Sequence, residues 1–136
     1  MLNSLSIRML GVHNPLLKSI RKAVQRGART DDGFAVAEGF HLLEEARRAK
    51  TPIGAILATP RAAERVGDSP LLHLVEESVF HQISSVENSQ GVISLIQIEE
   101  RPVSDCFEGM ALVIALDGIQ DPGNAGAIHC PTPHRG

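Results

Sequence analysis

The sequence predicts an α/β fold, and three observations predict it. Short apolar or β-branched runs alternate with stretches of helical periodicity along residues 1–98, the pattern of layered α/β domains. Two of the helical stretches open on a capping residue followed by proline, Asn14-Pro15 and Thr59-Pro60. The 136 residues are 43% apolar and 21% charged, with 12 Gly and 8 Pro, which supplies a core and excludes disordered, collagen-like and disulfide-stapled classes.

A first helix is expected from Pro15 to about Ala28. Asn14 accepts from an early unpaired N–H, and proline at the first helical position lacks the donor that would go unpaired. Its apolar Leu16, Leu17, Ile20, Ala23 and Val24 recur at steps of three and four, leaving Lys18, Arg21, Lys22, Arg26 and Arg29 on the remaining surface. Asp31-Asp32-Gly33 is a turn, and Phe34-Ala35-Val36-Ala37 a short buried strand ended by Glu38-Gly39. Residues 40–50 form a second helix with Leu42, Leu43, Ala46 and Ala49 inward and Arg47, Arg48 and Lys50 near its negative C-terminal end, before Thr51-Pro52 stops it. A strand over residues 53–58 leads into a short helix toward Val66. Residues 71–75 fit strand and helix equally, and residues 79–84 suggest a helical turn. Asn88-Ser89-Gln90-Gly91 is a polar break before a β-branched strand over residues 92–98.

Beyond this the organisation changes. The expected boundaries are a domain at 1–98, a linker at 99–109, a strand and loop at 110–128, and an atypical tail at 129–136. The run 110–117 is apolar up to its last residue, Asp117, as a central parallel strand is, yet the last 27 residues are too few to bury it. No apolar run approaches the roughly 18 residues of a membrane span, and the start lacks the order of a signal peptide, so a cytoplasmic protein with no membrane partner is expected. Cys106 and Cys130 then read as free thiols.

Charge is unevenly distributed. Residues 1–50 hold nine of the thirteen Lys and Arg against five acids, a net of +4, while residues 51–136 are net −7. Arg8, Lys18, Arg21, Lys22, Arg26 and Arg29 all precede the first acid, Asp31. Such a basic block suits phosphate backbones. With no Trp, no Tyr and four Phe, three of them in apolar surroundings, base stacking is poorly supplied, and RNA would be held through phosphates and shape.

The segment Asp117-Gly118-Ile119-Gln120-Asp121-Pro122-Gly123-Asn124-Ala125-Gly126-Ala127-Ile128 would follow the carboxyl end of a parallel strand, where open α/β sheets hold ligands. Gly118, Gly123 and Gly126 allow close backbone approach, and Asn124 offers both donor and acceptor. A Walker loop would need Lys where Asn124 stands, and the dinucleotide Gly-x-Gly-x-x-Gly spacing is absent. On these residues alone the segment is a tight turn or a ligand loop.

Together with Leu116, that segment resembles the first motif of the SpoU (TrmH) RNA 2'-O-ribose methyltransferases, of the knotted SPOUT class. His13-Asn14-Pro15, Phe34-Ala35-Val36-Ala37-Glu38-Gly39 and Asn88-Ser89-Gln90-Gly91-Val92 resemble landmarks of the substrate-binding domain that precedes the catalytic one in that family. The resemblance implies a three-layer α/β/α sandwich like RNA-binding domains of ribosomal proteins, followed by the first strand and loop of an incomplete knotted α/β methyltransferase domain. It implies rRNA or tRNA as partner, a homodimer formed through the catalytic domain, and S-adenosylmethionine held in the knot, its methyl group attacked by a ribose 2'-hydroxyl with help from an arginine. Asn124 matches the motif asparagine of an active-site loop that includes Asp121, Pro122, Gly123 and Gly126.

The motif arginine would fall at position 130, where Cys130 stands, and Pro131 and Pro133 would break the helix that carries it. The second and third motifs would lie beyond Gly136. The expectation is an RNA-binding part, using Arg8, Lys18, Arg21, Lys22, Arg26 and Arg29, that binds no cofactor and transfers no methyl group alone. Residues 129–136 read as a frameshifted or truncated end. The alternatives are a non-catalytic RNA-binding module and a fragment without function, which would aggregate rather than unfold cooperatively.

Other candidates read as structural. His129, Cys130 and His134 lack a fourth ligand for zinc, so no metal is expected. Glu44 and Glu45 are adjacent on a helix and point about 100° apart, as surface charges. Glu38 is expected to be buried and to cap the following helix. His41, His73 and His81 read as surface or half-buried side chains.

Overall fold

The structure is a computed structural model that describes residues 8–129, apart from the side chains of Pro122, Gly123 and His129. Cys130, Pro131, Pro133, His134 and the rest of the tail lie outside the described residues. The chain divides after Glu99 into two compact units. The first contains β1 (Arg8–Met9), α1 (Pro15–Arg26), β2 (Ala35–Glu38), α2 (Phe40–Arg48), β3 (Ile53–Ala58), α3 (Pro60–Val66), β4 (Leu72–Leu74), α4 (Glu77–Phe80) and β5 (Val92–Ile96).

Local chemistry sets the helix ends. Asn14 Oδ1 accepts from the Leu16 N–H at 2.9 Å, with Pro15 at the first helical position. Gly27 takes the left-handed conformation, φ 59°, and its N–H and that of Ala28 bond back onto the last turn, so α1 stops before the expected Ala28. Helix α2 likewise ends at Arg48, ahead of the expected Lys50, which adopts φ 54°. Thr59 caps α3, its hydroxyl accepting from the Ala62 N–H.

The five strands form one mixed sheet in the order β1-β4-β3-β5-β2. β1, β4 and β3 are parallel, and β5 runs antiparallel between β3 and β2. The carboxyl ends of β1 to β4 therefore share one edge with the amino end of β5. Alternate residues feed two cores: Ala55, Leu57, Ile93 and Leu95 pack with Leu17 and Ile20 of α1 and Val79 and Phe80 of α4. Ile56, Ala58 and Val92 pack with Phe40 and Leu43 of α2 and Ala62 and Val66 of α3. This places α1 and the α2–α3 pair on opposite faces. The fully buried Ser94 is satisfied by donating to the Ala37 carbonyl.

Several expectations need adjustment. β1 was not anticipated, because two residues carry no periodicity. The ambiguous residues 71–75 include β4, which pairs on both sides, while the turn expected at 79–84 begins earlier, as α4. The last strand ends at Ile96 rather than residue 98.

The second unit departs further. Residues 110–117, expected as a central strand, form none, and Met110, Leu112 and Ile114 are exposed. A strand of that composition depends on hydrogen-bonded neighbours, and the described residues after Glu99 include no other strand. The expected linker contains a 3₁₀ turn, Val103–Phe107. The expected loop is helical from Pro122, as α5 (Pro122–His129), with the Asp121 carbonyl accepting from the Asn124 and Ala125 N–H groups. Asp121-Pro122 is a third cap-and-proline pair.

Candidate functional site

The basic block of α1 is exposed except for the half-buried Arg21, and only partly free. Lys22 Nζ lies 2.6 Å from Asp31, and that hydrogen bond and charge hold the Asp31 carboxyl below its ordinary range. Arg21 donates to Gln82 Oε1 at 2.9 Å, and Arg29 reaches the Ile98 carbonyl. The Arg8 and Lys18 side chains are exposed and make no hydrogen bond or ion pair among the described residues; Arg26 is exposed beside Asp31. Arg21 and Lys22 are thus committed within the fold, and Lys18 and Arg26 remain the α1 cations most available to a ligand.

A second constellation lies where strand ends meet. Glu38 ends β2, and its half-buried carboxylate accepts from Ser84 Oγ, from Ser89 Oγ at 2.7 Å, and from the Ser85 N–H and Oγ at 2.8 Å each. Burial raises its pKa, but the serine and backbone donors outweigh that and hold the group below the ordinary glutamate value. Glu38 is therefore not the cap of α2. The Phe40 N–H donates instead to Gln90 Oε1, at 2.9 Å. Glu38 gathers the serines of residues 84–89, and Gln90 closes the same segment over α2.

Gly91 completes the corner. At φ 75° it lies so close to Thr59 that a β-carbon would sit 2.6 Å from the threonine hydroxyl. Beside it opens a cavity of about 490 Å³ whose lining includes Phe40, Arg61, Arg65, Glu77, His81 and Gln90. The Arg65 guanidinium lies 4.0 Å over the Phe40 ring and donates to Glu44 at 3.1 Å. Sequence reasoning passed over Arg61 and Arg65, although their spacing of four on α3 puts them on one helix face. It read His81 as a surface or half-buried residue, and the structure shows it exposed, as it does His41, with His73 half-buried.

The motif residues of the second unit form no comparable enclosure. A β-carbon at Gly118 or Gly126 would meet nothing within 4 Å, and residues 110–121 and Asn124 are exposed. Asp121, Pro122, Gly123, Asn124 and Gly126 lie at the start of α5 or within it rather than in an open loop. The described residues around them do not fit a group the size of S-adenosylmethionine. Among the described residues no three His, Cys, Asp or Glu are placed to hold a metal, and Cys106 is exposed. No helix among them is long and apolar enough to cross a membrane.

Comparison with known proteins bears on the first unit above all. A profile of the MRM3-like substrate binding domain matches residues 14–94. A Synechocystis protein named "Uncharacterized tRNA/rRNA methyltransferase slr1673" is 31% identical over 123 residues, covering 85% of this chain and 44% of that protein. The 23S rRNA (guanosine(2553)-2'-O)-methyltransferase RlmP of Bacillus subtilis is 24% identical over 117 residues, covering 85% and 46%. The chain thus spans less than half the length of these relatives. Among solved structures, an AdoMet-bound rRNA methyltransferase from Sinorhizobium meliloti superposes with a TM-score of 0.54 at 26% identity, covering 72% of this chain and 39% of that one. An RNA 2'-O ribose methyltransferase shares the fold at TM-score 0.58 and 24% identity, covering 89% and 49%.

Proposed function

Because the chain belongs to the family of MRM3-like substrate binding domains, we propose that it is the RNA-binding part of an S-adenosylmethionine-dependent rRNA or tRNA 2'-O-ribose methyltransferase of the SpoU (TrmH) type. The observation that carries this reading is the family match over residues 14–94, which falls on the unit that holds the free cations of α1 and the cavity at the strand ends. Two cores on opposite faces of one sheet support a three-layer arrangement for residues 1–98, and residues 110–128 are the start of the catalytic domain. The protein acts in the cytoplasm, and its dimer contact belongs to the catalytic domain.

These 136 residues transfer no methyl group by themselves. Cys130 stands where the motif arginine would be, and the surroundings of Asn124 do not enclose a cofactor. One observation favours a second reading, a non-catalytic RNA-binding module: the first unit contains the whole sheet and both cores without help from the second.

Fluorescence anisotropy with labelled rRNA and tRNA fragments, across a salt series and with and without S-adenosylmethionine, tests the proposal. Binding that weakens with salt and ignores the cofactor is expected. Absence of RNA binding at low salt would refute the domain's role, and methyl transfer by this chain would refute its inactivity.

A further inference from the structure

We propose that the cavity bounded by α2, α3 and the residues after α4 is a phosphodiester pocket, in which Arg61 and Arg65 hold one backbone phosphate of the bound RNA. The inference rests on the reading of this domain as RNA-binding. It places a defined contact at the strand ends, apart from the diffuse charge of α1.

The lining is rich in donors and poor in acceptors. The Arg61 side chain is exposed and makes no hydrogen bond or ion pair among the described residues. Arg65 gives one N–H to Glu44, which leaves most of its five donors uncommitted, and its stacking on Phe40 fixes the plane of the guanidinium. Gln90 has its amide oriented by the Phe40 N–H, because Oε1 accepts that proton; its NH₂ group therefore remains a donor at the cavity wall. His81 adds an imidazole with no side-chain partner among the described residues. Against these stand the lining carboxylate Glu77 and, beside the lining, Glu44 on Arg65.

Glu44 offsets part of the Arg65 charge, but Arg61 has no side-chain partner among the described residues and Arg65 keeps donors beyond that bond, and these open donors favour an anion. The planar fork of arginine matches phosphate oxygens in particular. A volume of about 490 Å³ also leaves room for the sugars on either side of the phosphate. Arg21 and Lys22 on α1 are held by Gln82 and Asp31 as Arg65 is by Glu44, so Arg61 is the pocket cation that stands apart from them.

The test compares the whole chain with Arg61→Gln, a variant that removes no side-chain hydrogen bond or ion pair among the described residues, using RNA anisotropy across a salt series. Affinity should fall about tenfold, the loss of one charge-assisted contact. The logarithmic salt slope should flatten by about 0.7, the loss of one phosphate on a single strand. If the parent chain binds RNA and Arg61→Gln matches it in affinity and slope, the pocket is overturned while the RNA-binding reading survives. If the parent chain binds no RNA, that reading falls, and titration with inorganic phosphate decides the pocket separately. Amide shifts at Gln90 and Gly91 in the parent but not in Arg61→Gln would uphold an anion site of non-RNA use. Absence of those shifts would overturn it.

Discussion

Substituting Gly91 by alanine measures how tightly the corner between β5 and α3 is built, and Gly27→Ala provides the reference. Both glycines have positive φ, 75° and 59°, so a side chain at either meets the left-handed penalty of about 1 kcal/mol. At Gly27 a β-carbon meets nothing within 4 Å, and the loss should stop there. At Gly91 the added carbon would lie 2.6 Å from Thr59 Oγ1 and 3.3 Å from the Ala62 β-carbon. Thr59 is only 5% exposed and cannot simply swing aside. Displacing it gives up the α3 cap, about 1 kcal/mol, and overpacks the corner for about 1 kcal/mol more. The expected losses are about 3 kcal/mol for Gly91→Ala and about 1 kcal/mol for Gly27→Ala. In urea unfolding, with a slope of about 2 kcal/mol/M, the two midpoints should differ by about 1 M. Equal midpoints would show that the close approach of Gly91 to Thr59 carries no strain.

Glu38→Gln should destabilise by about 1 kcal/mol at neutral pH, after allowance for partial exposure. Because the folded carboxyl is held below its unfolded pKa, its contribution is complete above the unfolded value and lost as pH falls through the folded one. The gap between parent and variant should narrow as pH falls below the ordinary glutamate range, and a gap independent of pH in urea titrations would contradict the hydrogen-bond account. Asn14→Ala should remove about 1 kcal/mol by loss of the α1 cap, read as a lower thermal midpoint by circular dichroism, and an unchanged midpoint would discount the cap. Leu57→Ala, at a fully buried position of β3, should lose about 3 kcal/mol; a loss under about 1 kcal/mol would mean the core re-collapses. Lys18→Ala combined with Arg26→Ala should leave stability within about 0.5 kcal/mol while flattening the salt slope of RNA binding, and an unchanged slope would remove α1 from the interface.

Much of the first unit was legible because local and tertiary signals agree there. Asn14-Pro15 and Thr59-Pro60 start helices where the cap-and-proline argument puts them, and residues 53–58 form a strand with the same bounds in both readings. Residues 110–117 misled because their apolar run encodes a strand only in the presence of partners, and composition does not reveal whether partners are at hand. The role of Glu38 was misjudged for a related reason. Its donors lie 46 to 51 positions away, beyond any local pattern, so the nearest helix end was taken as its target. The cavity was invisible for want of the same long-range information, since Phe40, Arg61, His81 and Gln90 meet only through the sheet topology.

The place of β5 in the sheet governs the order in which the unit can be made. Among the described residues β2 is hydrogen-bonded to β5 and to no other strand, and β5 is the last strand of the unit in sequence. A growing chain that has emerged only as far as β4 can pair β1, β4 and β3, but it leaves β2 without a neighbour and both cores short of a wall. Closure waits for Val92–Ile96 to insert between two strands already made. During synthesis the nascent unit therefore stays open, with strand edges exposed, until nearly all of its residues have left the ribosome.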